Sequence, residues 1–241
     1  MLSYKTIQPD TLELLKHLMA EPLFNGTRLV GGTALALQFG HRSSIDLDLF
    51  GTIEEDTDLT TSILEQIGQT IPGKCSTKIK TYRVCGIKTD IVSYDRYPWI
   101  DNPVLEDGIR LASPKDIAAM KVNAIQGRST RKDFVDMYFL IQHYGLSQVM
   151  AYYKEKYPEY SEYRAMLSLT YFEDAEQNPM PQMFIDISWK NTSRCRNSYC
   201  CTNSSSNTTY SKVRAKITYC SSLILVVSFY ALRLEQVDGV I

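Results

Sequence analysis

Asp46 and Asp48 are the residues of this chain whose type and spacing first suggest chemistry. They lie in Ile45-Asp46-Leu47-Asp48-Leu49-Phe50, which alternates apolar and polar positions as a half-buried strand does. Successive side chains of a strand point to opposite faces, so Ile45, Leu47 and Leu49 share the core side and both aspartates share the other. Two carboxylates at such close range repel unless water or a divalent cation lies between them. Mg²⁺ takes few carboxylates and completes its shell with substrate phosphate oxygens. A solvated pair on an exposed strand face is the plainer alternative, since exposed acids are the common case. Asp90 lies in a second strand-like run, Ile87-Lys88-Thr89-Asp90-Ile91-Val92. If that strand pairs beside the first, Asp90 becomes a third carboxylate. Gly31-Gly32 stand between the short apolar run Arg28-Leu29-Val30 and the helix-forming stretch 33–38. Glycines there let a backbone approach phosphate, and free N–H groups at a helix start favour anions. A glycine pair alone is weak evidence. A glycine pair, thirteen residues, Asp-x-Asp and then a later strand aspartate is far more specific.

These residues need a scaffold, and the pattern supplies one. Leu12, Leu15 and Leu18 predict a helix over 11–19. A second helix is predicted over 58–71, stopped by Pro72-Gly73. Residues 78–94 read as two strands turning near Gly86, and 109–112 as one more short strand. From Pro114, with Ser113 as N-cap, the pattern is helical. Ile117, Met120 and Ala124 form one stripe there, and Phe134, Met137, Tyr138 and Ile141 another. Further helices are expected over 146–156 and 162–175. The fold class is therefore α+β, a mixed sheet with flanking helices followed by a helical C-terminal half. The expected divisions are an α/β core over 1–112, a helical part over 113–190 and an atypical tail over 191–241.

Residues 30–50 resemble the signature of the DNA polymerase β-like nucleotidyltransferase superfamily. More narrowly, GGTALALQFGHRSSIDLDLF resembles the AbiEii/AbiGii abortive-infection toxin family. The likeness extends over about residues 10–190 and includes DIAAMKVNAIQGRSTRKDFVDMYFL at 116–140, the place of that family's later lysine and Asp-x-x-Asp motifs. The resemblance implies transfer of a nucleoside monophosphate from an NTP to an acceptor, RNA such as tRNA being the acceptor expected. It implies Mg²⁺ or Mn²⁺ on Asp46 and Asp48, with Asp90 as base or third ligand, and two metals can stabilise attacking and leaving oxygens in such a displacement. It places Gly31, Gly32 and Thr33 on the phosphates, with Arg42 and Ser44 in the family's R-x-S-x-D-x-D stretch. It also implies Lys121 as a triphosphate ligand, and Asp133 or Asp136 facing the nucleotide. A type IV-like toxin–antitoxin role follows, with a winged-helix antitoxin as partner. Two other readings share the fold: a non-catalytic nucleotide-binding or protein-interaction module, and a small-molecule nucleotidyltransferase of the antibiotic-modifying kind.

Each of these residues has a plain structural alternative. Lys121 shares a helix side with Ile117 and Ala124, where a lysine commonly snorkels to water. Asp133 and Asp136 are three apart and could be a solvated face, or a favourable charge near a helix start. Arg128, Arg131 and Lys132 could meet phosphates or decorate a loop. Arg42 could form a loop ion pair, which contributes little. Histidine is the side chain whose charge changes nearest to neutral pH, but the position of His41 assigns it no chemistry. The aromatic run from Tyr152 to Tyr163 reads as helix packing and surface rather than as a base-stacking platform. Cys75 and Cys85 lack metal spacing and read as reduced thiols.

Composition bounds the rest. The chain has 241 residues, 44% hydrophobic and 22% charged, with net charge −1. That excludes a bulk electrostatic nucleic-acid binder, since no excess positive charge exists to displace counterions. No basic and apolar leader opens the chain, so a cytoplasmic location is expected. The neutral sum hides a seam. Residues 1–190 carry 20 basic and 25 acidic side chains, whereas 191–241 carry 6 and 2, together with four of the six cysteines and 14 Ser or Thr. The apolar run 217–232 is about 16 residues, short of the ~20 that a spanning helix needs, so no membrane contact is expected. The abrupt change at 190/191 suggests a disordered or out-of-frame C-terminus. The coding DNA decides: absence of a helix-like continuation in another frame beyond codon 190 would remove the frameshift idea.

Overall fold

The computed structural model describes residues 1–53, 56–187 and 189. The tail expectations for 191–241 lie outside the described residues. In chain order the elements are α1 (Pro9–Ala20), β1 (Thr27–Leu29), α2 (Gly31–Phe39), β2 (Leu47–Gly51), α3 (Thr57–Ile67), β3 (Thr70–Cys75), β4 (Ile79–Val84) and β5 (Ile87–Ser93). They continue with β6 (Val104–Glu106), β7 (Ile109–Leu111), α4 (Pro114–Arg128), α5 (Arg131–Tyr144), α6 (Leu146–Lys156), α7 (Glu162–Thr170) and α8 (Glu173–Glu176).

The strands form one mixed sheet in the order β3-β4-β5-β2-β1-β7-β6. β2 runs parallel to β5 and antiparallel to β1, and β1 runs parallel to β7. The alternation read from 45–50 holds within β2, where Leu47 and Leu49 are fully buried. Ile45 departs from it. It lies before the strand and is 54% exposed, because the ladder to β5 begins only at Leu47.

Three elements differ from expectation. The helix expected over 58–71 ends at Ile67, and Pro72-Gly73 belong to β3 instead. β3 is an edge strand, where proline's missing N–H is not required by a neighbour. β7 falls where the short strand over 109–112 is expected, but its hairpin partner β6 was not anticipated. The hairpin turn, Asp107-Gly108, takes left-handed values at both residues (φ 51° and 77°), the conformation for which Asp-Gly is the characteristic sequence. The helix expected over 162–175 is two pieces, α7 and α8.

The helical half packs on the sheet half through one continuous core. It joins Leu29, Leu47, Leu49 and Ile91 of the strands to Ile117, Val122, Leu140 and Tyr153 of the helices. α4 starts as the sequence predicts, with Ser113 Oγ accepting from the Asp116 N–H. Among the described residues no helix is long and apolar enough to cross a membrane.

Candidate active site

Parallel pairing of β2 with β5 puts Asp48 directly opposite Asp90. The adjacency anticipated from two separate runs therefore arises from a ladder that no local pattern specifies. Burial, then the charge of Asp90, push the Asp48 carboxyl up to about 6, against the opposing pull of Lys88. Lys88 Nζ donates to Asp90 Oδ2 at 2.5 Å. Asp90 Oδ1 is buried and has no hydrogen-bond partner among the described residues. Asp46 stands just ahead of β2, 34% exposed, with Lys132 Nζ at 3.5 Å from its Oδ2.

The glycine pair opens α2 rather than lying in a loop before it. Gly31 has φ +70°, and a Cβ there would fall 2.3 Å from Asp48 Oδ2. A Cβ on Gly32 would fall 2.2 Å from Arg42 Nη2. Both positions are thus held to hydrogen by the neighbouring charged groups, and Gly31 by its left-handed backbone as well. Val30 precedes the helix and provides no side-chain cap, leaving the first-turn N–H groups without one. The Thr33 hydroxyl lies 2.5 Å from the Asp46 carbonyl and 2.8 Å from Ser44 Oγ, tying the start of α2 to the lead-in of β2.

Behind this face lies a buried ion network that sequence reasoning described only as separate residues. Asp136 accepts from Arg42 Nε at 2.6 Å and Nη2 at 2.8 Å, a bidentate pair, and lies 2.8 Å from His41 Nε2. Lys121 Nζ is 2.6 Å from Asp136 and 2.8 Å from Asp133. Asp133 also accepts from Arg128 Nε at 3.1 Å and Thr130 Oγ1 at 2.5 Å. Burial alone would raise both carboxyls. Lys121 with Arg128 overrides it at Asp133, which titrates at about 2, and Lys121 with Arg42 holds Asp136 well below the carboxylate range. Lys121 therefore does not snorkel, and Arg42 is no surface ion pair. Asp133 and Asp136 are no solvated face either: both are fully buried. His41 is the member that the sequence did not single out, although it directly precedes Arg42.

A cavity of about 450 Å³ lies against the carboxylates, a volume typical of small-molecule sites. Of the anticipated residues it is lined by Gly31, Asp48, Asp90, Lys121 and Arg128. Gly32, Thr33, Arg42, Ser44, Asp46, Asp133 and Asp136 are not among its lining residues. For Asp133 and Asp136 the reason is that both are enclosed by the cations they hold. Arg131 turns away altogether, donating to the Ala175 and Glu176 carbonyls and lying over Trp189. Among the described residues no three His, Cys, Asp or Glu side chains close into a ready-made metal cage. The crowded Asp48 carboxyl and the orphaned Asp90 Oδ1 nevertheless fit a cation that takes few protein ligands and fills its shell with phosphate oxygens.

A mixed sheet with two facing strand aspartates, a diglycine helix start beside them and a helical half closing the cavity is the arrangement of a nucleotidyltransferase. The chain belongs to the family described as "Nucleotidyl transferase AbiEii toxin, Type IV TA system", which it matches over residues 13–193. It is 34% identical over 180 residues to the uncharacterized protein aq_aa25 of Aquifex aeolicus (strain VF5), covering 72% of this chain and 86% of that one. Among solved structures it is similar in fold to ANT(2")-Ia in complex with adenylyl-2"-tobramycin. That match has TM-score 0.51 and 15% identity, over 64% of this chain and all of the other. MenT4, a nucleotidyltransferase toxin from Mycobacterium tuberculosis H37Rv, gives TM-score 0.40 and 13% identity, over 69% of this chain and 68% of that one.

Proposed function

We propose that this chain transfers a nucleoside monophosphate from an NTP to an RNA acceptor, with tRNA as the favoured class, in a divalent-metal-dependent reaction. We further propose that it acts in the cytoplasm as the toxin of a type IV toxin–antitoxin pair whose antitoxin carries a winged-helix domain. The observation that carries the catalytic reading is the Asp48–Asp90 pair set against Gly31 in one cavity. Family membership supports the toxin role.

Asp46, Asp48 and Asp90 would hold Mg²⁺ or Mn²⁺, which when bound neutralises charge developing on the attacking and leaving oxygens. The remaining work belongs to the chain. The N–H groups of Gly31 and Gly32 receive phosphate oxygens at the positive end of α2. Lys121 presents a fixed positive charge to the cavity because Asp133 and Asp136 hold its ammonium. Arg128, whose side chain is 57% exposed, reaches phosphate from its anchor on Asp133. The acceptor hydroxyl oxygen bonds to the α-phosphorus, the bond to the bridging oxygen breaks, and pyrophosphate leaves. The hydroxyl proton passes to Asp90, whose Oδ1 has no hydrogen-bond partner among the described residues. Thr33, Arg42, Ser44, Asp133 and Asp136 act as positioning residues.

Incubation with labelled NTPs, Mg²⁺ and total RNA tests the reading. Label should enter RNA, and Asp46→Ala or Asp48→Ala should reduce transfer by about 1,000-fold or more. No transfer by wild type, or equal transfer by the variants, would reject it. Growth arrest on induction, relieved by the neighbouring gene product, is the outcome expected of a toxin.

A further inference from the structure

Beyond its carboxylates and cations, the cavity lining is rich in aromatic rings. Phe50, Tyr94, Tyr97 and Tyr157 line it, with Met120 and Asn123 of α4. Phe50 lies two residues beyond Asp48 and therefore on the same strand face, and Tyr94 follows the end of β5, which carries Asp90. The rings are mutually braced: centroids are 5.4 Å apart for Phe50–Tyr94, 5.4 Å for Tyr94–Tyr97 and 4.8 Å for Tyr97–Tyr157. Their hydroxyls pair as well, Tyr94 with Tyr157 at 2.6 Å and Tyr97 with Tyr160 at 2.7 Å. Lys156, fully buried, lies 5.2 Å from the Tyr94 ring centre and 4.4 Å from that of Trp99, and donates to Asp116 and to the Pro98 carbonyl. The wall is thus fixed before any ligand arrives. Asn123, half-buried, has no hydrogen-bond partner among the described residues, and its amide offers both a donor and an acceptor.

We infer that this wall is the nucleobase subsite of the NTP, with the base stacked on the Tyr97 and Tyr94 side and Asn123 reading its hydrogen-bonding edge. The inference rests on the nucleotidyl-transfer reading above and adds to it where the base lies and which residue selects it. One face of α4 supports it. Ile117, Met120, Lys121, Ala124 and Arg128 recur at helical spacing along the cavity, so the cations for phosphate and the apolar surface for a ring belong to the same stripe. A ligand that satisfies both ends carries phosphates on one side and a flat π-face on the other. Stacking tolerates any base, because every base has such a face. Choice among bases therefore falls to Asn123.

Calorimetry on the full chain with Mg²⁺ and no RNA tests this, using each of the four NTPs and inorganic tripolyphosphate as probes. At least one NTP should bind about tenfold or more tightly than tripolyphosphate. Tyr97→Ala and Asn123→Ala should each weaken that NTP by about tenfold while tripolyphosphate binding stays unchanged. Tyr97→Phe should retain wild-type affinity, and Asn123→Ala should also level the preference among NTPs. If NTPs bind no more tightly than tripolyphosphate, the subsite is overturned while nucleotidyl transfer stands. Unchanged NTP affinity in both variants, with a raised KM for RNA, overturns it in favour of an acceptor base on the wall. Equal losses for NTP and tripolyphosphate overturn it as general damage. Binding of neither probe to wild type overturns this inference together with the reading beneath it.

Discussion

Asp48 stands where a negative charge opposes folding, since it is half-buried, faces Asp90 across the ladder and lies against the Gly31 backbone. Asp48→Asn should therefore lose about 1,000-fold or more of transfer activity yet melt no lower than wild type, because the amide relieves the repulsion. Thermal melts beside the labelling assay check both halves, and a markedly lower melting temperature would contradict the assignment. Asp136 is the opposite case. Removing its charge leaves Arg42 and part of the Lys121 interaction uncompensated in the interior. Asp136→Asn should cost about 3–5 kcal/mol in denaturant unfolding, the usual loss on breaking a buried pair. The same residues set an acid limit. Asp133 and Asp136 titrate lower in the folded than in the unfolded chain. Their contribution is complete above the unfolded carboxylate range and falls away between about pH 5 and pH 2. Unfolding free energies measured across pH 3–7 should drop toward the acid end, with a shallower drop in Asp133→Asn. No difference in slope would count against the network.

Single residues act here through the elements that carry them. α4 is the most consequential, since it presents Lys121 and Asn123 to the cavity and begins at a capped Ser113. Ser113→Ala should lower stability by about 1 kcal/mol, the worth of an N-cap, while leaving turnover per folded molecule nearly unchanged. A large loss of turnover would show that the cap also sets the register of the site. The polar link 41–44 is a second instance. It lacks regular structure, yet its strand-like contacts with 182–184 hold it: Ser43 N–H donates to the Gln182 carbonyl and Phe184 N–H to the His41 carbonyl. Arg42 is thereby pinned from the far end of the described chain. Elements were legible where the local signal was strong, as at Pro114 and at the turn near Gly86. β3 was misread because a proline in an edge strand looks the same locally as a helix stop. The hairpin at Asp107-Gly108 has a local signal of its own, since Asp-Gly favours the left-handed values its turn requires.

At the scale of the whole molecule, binding should appear as stabilisation. NTP with Mg²⁺ at about a hundred times its dissociation constant should add about 2.7 kcal/mol, or roughly 5–10 °C in Tm for a chain of this size. Asp48→Asn should show little of that shift, and an equal shift in the variant would place the ligand elsewhere. The net charge of −1 gives no guide to this chemistry. It sums a body at −5 and a terminal segment at +4, and the family match ends at residue 193, close to that change of composition. In the proposed function a phosphate-rich substrate would be met by Lys121, Arg128 and the α2 N-terminus, whatever the overall charge.

The amino-acid sequence by itself determined the class of fold and singled out the candidate residues. Gly31-Gly32, Asp46-x-Asp48 and Asp90 declare themselves through strand alternation and through the distinct backbone freedom of glycine, both of which are local properties. Only the tertiary structure decided which charges meet. Asp48 faces Asp90 because β2 and β5 pair in one register, and Lys121, Arg42, Asp133 and Asp136 meet because α4 and α5 pack together against α2 and the link that follows it. Helical spacing states which side chains share a face, but not whether that face meets water or another helix. For charged groups burial reverses the outcome: a carboxylate that would titrate ordinarily on the surface becomes, at Asp136, the fixed centre of a buried network.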